Sequence, residues 1–152
     1  MPLVRGRDWA LAGDCMVAGL VDQLGTTGVI VGLPRHLVFL PDNTLAGAGT
    51  MVMAVPQSFL HLDPVRAMET IAAQPGLELA HLHGLLLRLA GSTRDSIVLD
   101  LMGDVTALRV KDGFLRRGVY YRRPAQSGWR GFSCSKAGAR ELAALWASML
   151  RE

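Results

Sequence analysis

Ser96-Ile97-Val98-Leu99-Asp100-Leu101, Val105-Thr106-Ala107-Leu108-Arg109-Val110 and Lys111-Asp112-Gly113 begin a run of alternating strands and turns that fills the last third of the chain. The first two are short β-branched runs, and Asp-Gly is a strong signal for a two-residue hairpin turn. Phe114 to Arg122 reads as the next strand, Pro124-Ala125-Gln126-Ser127-Gly128 as a turn, and Trp129 to Cys134 as the last strand. Ser135 is suited to cap a closing helix, along which Ala139, Leu142, Leu145, Trp146 and Met149 fall on one face. The final third of the chain is therefore expected to be an antiparallel sheet sealed by an amphipathic helix over about 136–151.

Upstream, the period changes twice. Gly28-Val29-Ile30-Val31-Gly32-Leu33 and Leu37-Val38-Phe39-Leu40 flank the turn at Pro34-Arg35-His36 and predict a β-hairpin. Thr50 to Val55 is a third candidate strand, stopped by Pro56. Asp63-Pro64 then has the form of an N-cap followed by proline at the first helical position. Val65, Met68, Ile71 and Ala72 follow at helical spacing, and Pro75-Gly76 ends that helix. A second helix is expected from near Leu77, carried by Leu79, Leu82, Leu86 and Leu89 and ended by Gly91. This gives an inserted helical hairpin over about 63–90. Residues 8–24 are ambiguous: Trp9, Leu11, Met16, Val17, Leu20, Val21 and Leu24 suit a short helix, while Gly13 and Gly19 weigh against it.

The class that emerges is α+β, with an antiparallel sheet or partly open barrel, in one domain spanning 1–152. The length supports this, since a chain of 152 residues falls within the ordinary size of one domain. Half the residues are hydrophobic and only 19% charged, which excludes a disordered chain. The longest uncharged stretch, Asn43 to Leu62, is broken by Pro56, Gln57, Ser58 and His61, so no transmembrane segment is expected. No signal-peptide apolar region precedes Asp14, and a cytoplasmic location is expected.

The hairpin Gly28 to Pro41 and the segment Ile97 to Leu150 together resemble the pleckstrin-homology and GRAM-like superfold. Such domains carry a Thr-x-x-Arg-Leu-x-Phe pattern in their first hairpin, where Leu33 here stands in the threonine's place. Leu99-Asp100-Leu101 is similar to the family's hydrophobic-Asp-hydrophobic step. The resemblance covers a little under half the chain and implies a binding or scaffold role, with the helical hairpin as an insertion. The family's lipid-binding variants use a basic cluster in the first hairpin. Only Arg35 stands there, so phosphoinositide binding is not implied.

The net charge of +3 conceals a split: residues 1–104 carry −4 and residues 105–152 carry +7. Asymmetry of this kind bears on partners rather than on fold. The candidate binding residues are Arg109, Arg116, Arg117, Tyr120, Arg122, Arg123, Trp129 and Arg130. On a strand, Arg116, Gly118, Tyr120 and Arg122 share one face, and Arg117, Val119, Tyr121 and Arg123 the other. Arginine forks bind phosphate and aromatic rings stack on bases, so a nucleic acid or a lipid head group is one reading of this patch. A solvated strand whose charges protect a sheet edge is the other. A protein partner is the third class considered. A mean hydropathy of +0.27 also admits a homo-oligomer.

No catalytic motif, cofactor or metal site is expected. His81 and His83 are two apart, so on a helix they diverge by about 200°. With His61 and Asp63 they would form a small enzyme's site, metal-assisted or not, only through tertiary contact. Ala46 to Thr50 is glycine-rich but lacks the lysine and following helix of a phosphate-binding loop. Asp100 and Asp104 read as turn residues or as an acid–base pair. Ser133-Cys134-Ser135 lacks the glycine offsets of a nucleophile elbow, since Gly131 and Gly138 are misplaced. Cys15 and Cys134 lie far apart in sequence, without a CxxC partner, and read as two small core residues of a reducing compartment. A nucleophilic Cys134 is the alternative.

Overall fold

The computed structural model describes residues 3–18, 27–41, 64–91, 96–113, 117–125 and 128–150. The strands are β1 (Ala10–Ala18), β2 (Thr27–Gly32), β3 (His36–Pro41), β4 (Ile97–Asp100), β5 (Ala107–Asp112), β6 (Arg117–Arg122) and β7 (Arg130–Ser133). The helices are α1 (Pro64–Ala72), α2 (Leu79–Gly91) and α3 (Lys136–Leu145), with a 3-10 turn at Ala147–Met149. The candidate strand at Thr50 to Val55 and the glycine-rich Ala46 to Thr50 lie outside the described residues.

The strands form one antiparallel sheet in the order β4-β3-β2-β1-β7-β6-β5. The α+β class and the antiparallel sheet are thus as read from the sequence. Strand β1 is the hinge of this order, pairing with β2 along Ala10–Met16 and with β7 along Met16–Ala18. A one-residue bulge between Ala12 and Cys15, with Asp14 at φ 53°, bends it from one partner to the other. The short helix considered for residues 8–24 is therefore strand over Ala10–Ala18. The bulge breaks the strand alternation, which is why the apolar residues there mimic a helical period.

Both faces of β2 from Gly28, of β3 from Leu37 and of β1 over Ala10–Ala12 are buried. Trp9, Leu11, Val29, Val31, Val38 and Leu40 pack under the α1–α2 hairpin, against Met68, Ile71, Leu82, Leu86 and Leu89. Ala10, Ala12, Ile30, Leu37 and Phe39 face the opposite way, toward Phe132, Ala139, Leu142 and Trp146. A sheet covered on both sides needs apolar residues at successive positions, which explains the unbroken Val29-Ile30-Val31 and Leu37-Val38-Phe39-Leu40 runs. Both helices of the hairpin are a little shorter than read: α1 stops at Ala72, ahead of Pro75-Gly76, and α2 opens at Leu79 rather than Leu77.

Helix α3 closes the second core. Ser135 caps it by accepting a hydrogen bond from Gly138 N at 3.1 Å. The regular helix stops at Leu145 rather than near residue 151, and Trp146 starts the 3-10 turn, fully buried. Gly32 makes that seating possible: a Cβ there would lie 2.7 Å from Leu142 Cδ2 and 3.0 Å from Trp146 Cζ2. Glu141 clamps the helix to the strand end, accepting from Leu11 N at 2.6 Å and pairing with Arg5 at 2.9 Å. No helix among the described residues is long and apolar enough to cross a membrane.

Candidate functional site

The β5–β6–β7 end of the sheet has one buried and one open face. Leu108, Val119, Tyr121 and Phe132 point into the core, so their sequence neighbours point out. The register sets Arg109 opposite Tyr120, Lys111 opposite Gly118, Ala107 opposite Arg122, and Tyr120 opposite Gly131. Trp129, just ahead of β7, falls on this same outer face.

The outward residues converge. The Arg109 guanidinium carbon sits 4.4 Å from the Trp129 ring centroid and that of Arg122 5.7 Å from it. Each such cation–ring contact at an exposed site contributes about 0.5–1 kcal/mol, enough to hold the three side chains as a unit. Gly131 leaves room for the Tyr120 ring beside them, because a Cβ there would lie 2.6 Å from Tyr120 Cδ1 and 2.3 Å from Val119 O. Lys111 and Arg122 are exposed, and Trp129 is 37% exposed, whereas Trp9 and Trp146 are buried.

The eight candidate binding residues therefore divide. Arg109, Tyr120, Arg122 and Trp129 share the outer face, and Lys111 joins them. Arg117, Arg123 and Arg130 belong to the core-facing register and reach solvent only at the strand ends. Arg123 lies 6.0 Å over the Tyr121 ring, away from Trp129. Arg116 lies outside the described residues. The salt bridges among the described residues join Arg5 to Glu69 and Glu141, Arg7 to Asp8, and Arg140 to Asp112. Lys111, Arg117, Arg122, Arg123 and Arg130 enter none of them, so their charge is not neutralised by a neighbouring carboxylate there.

A second place brings together residues that the sequence did not connect. His36 opens β3 and His83 sits on α2, with ring centroids 4.2 Å apart at a tilt of 35°. They border a cleft of about 430 Å³, completed by Leu33, Pro34, Arg35, Leu79 and Ala80. Burial, then the neighbouring His83, holds His36 below the usual imidazole range, against the opposing pull of Asp100. His83 Nε2 is buried with no hydrogen-bond partner among the described residues. His81 is exposed, while His61 and Asp63 lie outside the described residues. The site imagined from His61, His81, His83 and Asp63 is thus represented by His83 alone, whose neighbour is His36.

Asp100 and Asp104 have structural roles. Asp100 Oδ1 accepts from Met102 N at 3.0 Å, and Asp104 Oδ2 from Asp100 N at 2.8 Å, so both carboxylates brace the turn after β4. The Met102 N–H bond holds the Asp100 carboxyl below the usual range. Among the described residues no group of three or more His, Cys, Asp or Glu side chains could hold a metal ion.

Compared with known protein families, curated proteins and solved structures, the chain matches none of them.

Proposed function

We propose that the chain is a non-enzymatic binding module that takes an anionic partner on the outer face of β5–β6–β7. The observation that carries this reading is the cluster of Arg109 and Arg122 around the Trp129 ring, with Lys111 and Tyr120 on the same surface. Guanidinium forks held against a ring are already oriented, so they lose less freedom on meeting a phosphate or carboxylate. Exposed rings between cations also suit unpaired bases, which makes single-stranded nucleic acid the favoured partner within the anionic class. The pleckstrin-homology and GRAM-like resemblance belongs to the same proposal. It is supported by the β4-β3-β2-β1-β7-β6-β5 order and by one C-terminal helix packed on the sheet.

Titration of the protein with a labelled single-stranded oligonucleotide, and separately with anionic and neutral vesicles, tests this reading. Saturable binding to the oligonucleotide that weakens steeply with salt supports it; binding to anionic vesicles alone moves the partner to a lipid surface. Neither arm showing binding at low salt overturns the proposal.

A small-ligand site is the second reading, and the His36–His83 cleft favours it. Its lining is mostly apolar, with an unpartnered imidazole nitrogen at its edge, the usual makeup of a ligand pocket.

A further inference from the structure

The geometry points to Cys15 and Cys134 as a cross-strand thiol pair that a hydroperoxide converts to a disulfide, a modification site separate from the basic face. The register of β1 and β7 pairs Met16 with Ser133, Val17 with Phe132 and Ala18 with Gly131. One further step of that ladder sets Cys15 opposite Cys134. Directly opposed residues of antiparallel strands have Cα atoms about 4.5–5.5 Å apart, inside the span of about 4.4–6.8 Å that a disulfide bridges.

The two side chains also point the same way. Cys134 is two residues beyond Phe132 and shares its inward face, and Cys15 lies in the same core cluster beside Ala12 and Ala139. The bulge in β1 is what aims Cys15 there. In a regular strand a residue three beyond the inward Ala12 would face outward; the extra residue at Gly13-Asp14 restores the inward direction. The irregularity that bends β1 toward β7 thus also faces one cysteine toward the other.

Access and charge divide the roles. Cys15 is fully buried, whereas Cys134 keeps 8% of its surface open, so a small oxidant meets Cys134 first. The Cys15 thiol has Ala12 O at 3.2 Å and Gly13 O at 3.6 Å as acceptors, with the Cys134 sulfur as a further neighbour. Donation to Cys134, together with burial, holds Cys15 protonated well above the usual thiol range. The same hydrogen bond, with the Arg117 cation nearby, holds Cys134 below it against the effect of burial. A thiolate beside a protonated thiol is the arrangement of an attacking and a resolving cysteine.

The chemistry balances with hydrogen peroxide as oxidant. The Cys134 thiolate attacks one peroxide oxygen, the O–O bond breaks, and hydroxide leaves as Cys134 becomes a sulfenic acid. The Cys15 sulfur then displaces the sulfenic hydroxyl. The S–S bond forms, the S–O bond breaks, and the hydroxyl departs as water with the Cys15 proton. Two thiols have been oxidised and one peroxide reduced to two waters.

Treating the reduced full-length chain with hydrogen peroxide under native conditions, then alkylating and weighing it, tests the pair. Because Cys15 and Cys134 are the only cysteines, the expected result is loss of two hydrogens and of both alkylation sites in a chain that stays single on a non-reducing gel. Peptide mapping should find the two cysteines linked, dithiothreitol should restore both thiols, and the thermal midpoint should be higher in the oxidised form. In Cys15→Ala the sulfenic acid at Cys134 should persist and be trapped by dimedone. The wild-type mass decides the matter even if a variant fails to fold. Two thiols still open to alkylation, oxygen added at Cys134 without linkage, or a disulfide between chains would each overturn the inference.

Discussion

The indole nitrogen of Trp146 donates a 2.7 Å hydrogen bond to the carbonyl of Leu33. One residue thereby ties the end of α3 to the turn between β2 and β3, while its fully buried ring fills the core between them. The contact spans most of the chain and closes the second core at the point where Gly32 lets the helix approach.

Replacing Trp146 with phenylalanine separates the bond from the packing. The Leu33 carbonyl would keep only its 3.3 Å bond from His36 N. The loss is expected to be about 1–2 kcal/mol in urea unfolding, the range for one hydrogen bond plus some lost contact. Trp146→Ala, which empties the site, should cost roughly 3–5 kcal/mol. Equal stability of the phenylalanine variant and the wild type would remove this bond from the account.

Gly32→Val should destabilise by overpacking rather than by backbone strain. Its side chain would press on Leu142, Leu145 and Trp146, whose atoms lie within 3.2 Å of a Cβ at that position. A cost of about 1–3 kcal/mol is expected, with Gly32→Ala milder because those side chains can shift. A valine variant as stable as wild type would show that α3 does not sit on Gly32.

His36 makes stability depend on pH in a defined direction. Its folded-state affinity for protons is lowered, first by burial and then by His83, with Arg35 adding to this and Asp100 and Asp104 opposing it. The unfolded state therefore takes up the proton first, and stability should fall as pH drops below about 6.5, the ordinary imidazole value. The carboxyls held low, Asp8 and Asp100, act at more acidic pH and leave this window to histidine. His36→Gln should flatten the urea midpoint between neutral and mildly acidic pH; an unchanged slope would assign the effect elsewhere.

Much of the architecture was legible because local pattern and tertiary environment agree. Ser135 and the Leu142 stripe each carry their signal within a few residues, whereas Asp112, read as part of an Asp-Gly turn, ends β5 opposite Arg117. Strand β1 was not legible, because the Gly13-Asp14 bulge and burial on both faces erase the alternation that marks a strand. The basic face was half legible. Alternation correctly grouped Tyr120 with Arg122 and Arg117 with Tyr121, but which group faces solvent depends on where α3 packs. The meetings of His36 with His83 and of Cys15 with Cys134 had no local signal at all, since each joins elements that become neighbours only through the strand order and the seating of α2.

The outer face of β5–β6–β7 is tested by salt-dependent oligonucleotide binding of the wild type, Arg122→Ala and Lys111→Ala, with Arg7→Ala as control because Arg7 is already paired with Asp8. Each outer-face variant should weaken binding and reduce the salt slope, by roughly 0.7 per lost contact on a single strand, while Arg7→Ala leaves both unchanged. Binding that is insensitive to Arg122 and Lys111, or equally weakened by loss of Arg7, would contradict the assignment of this face as the site.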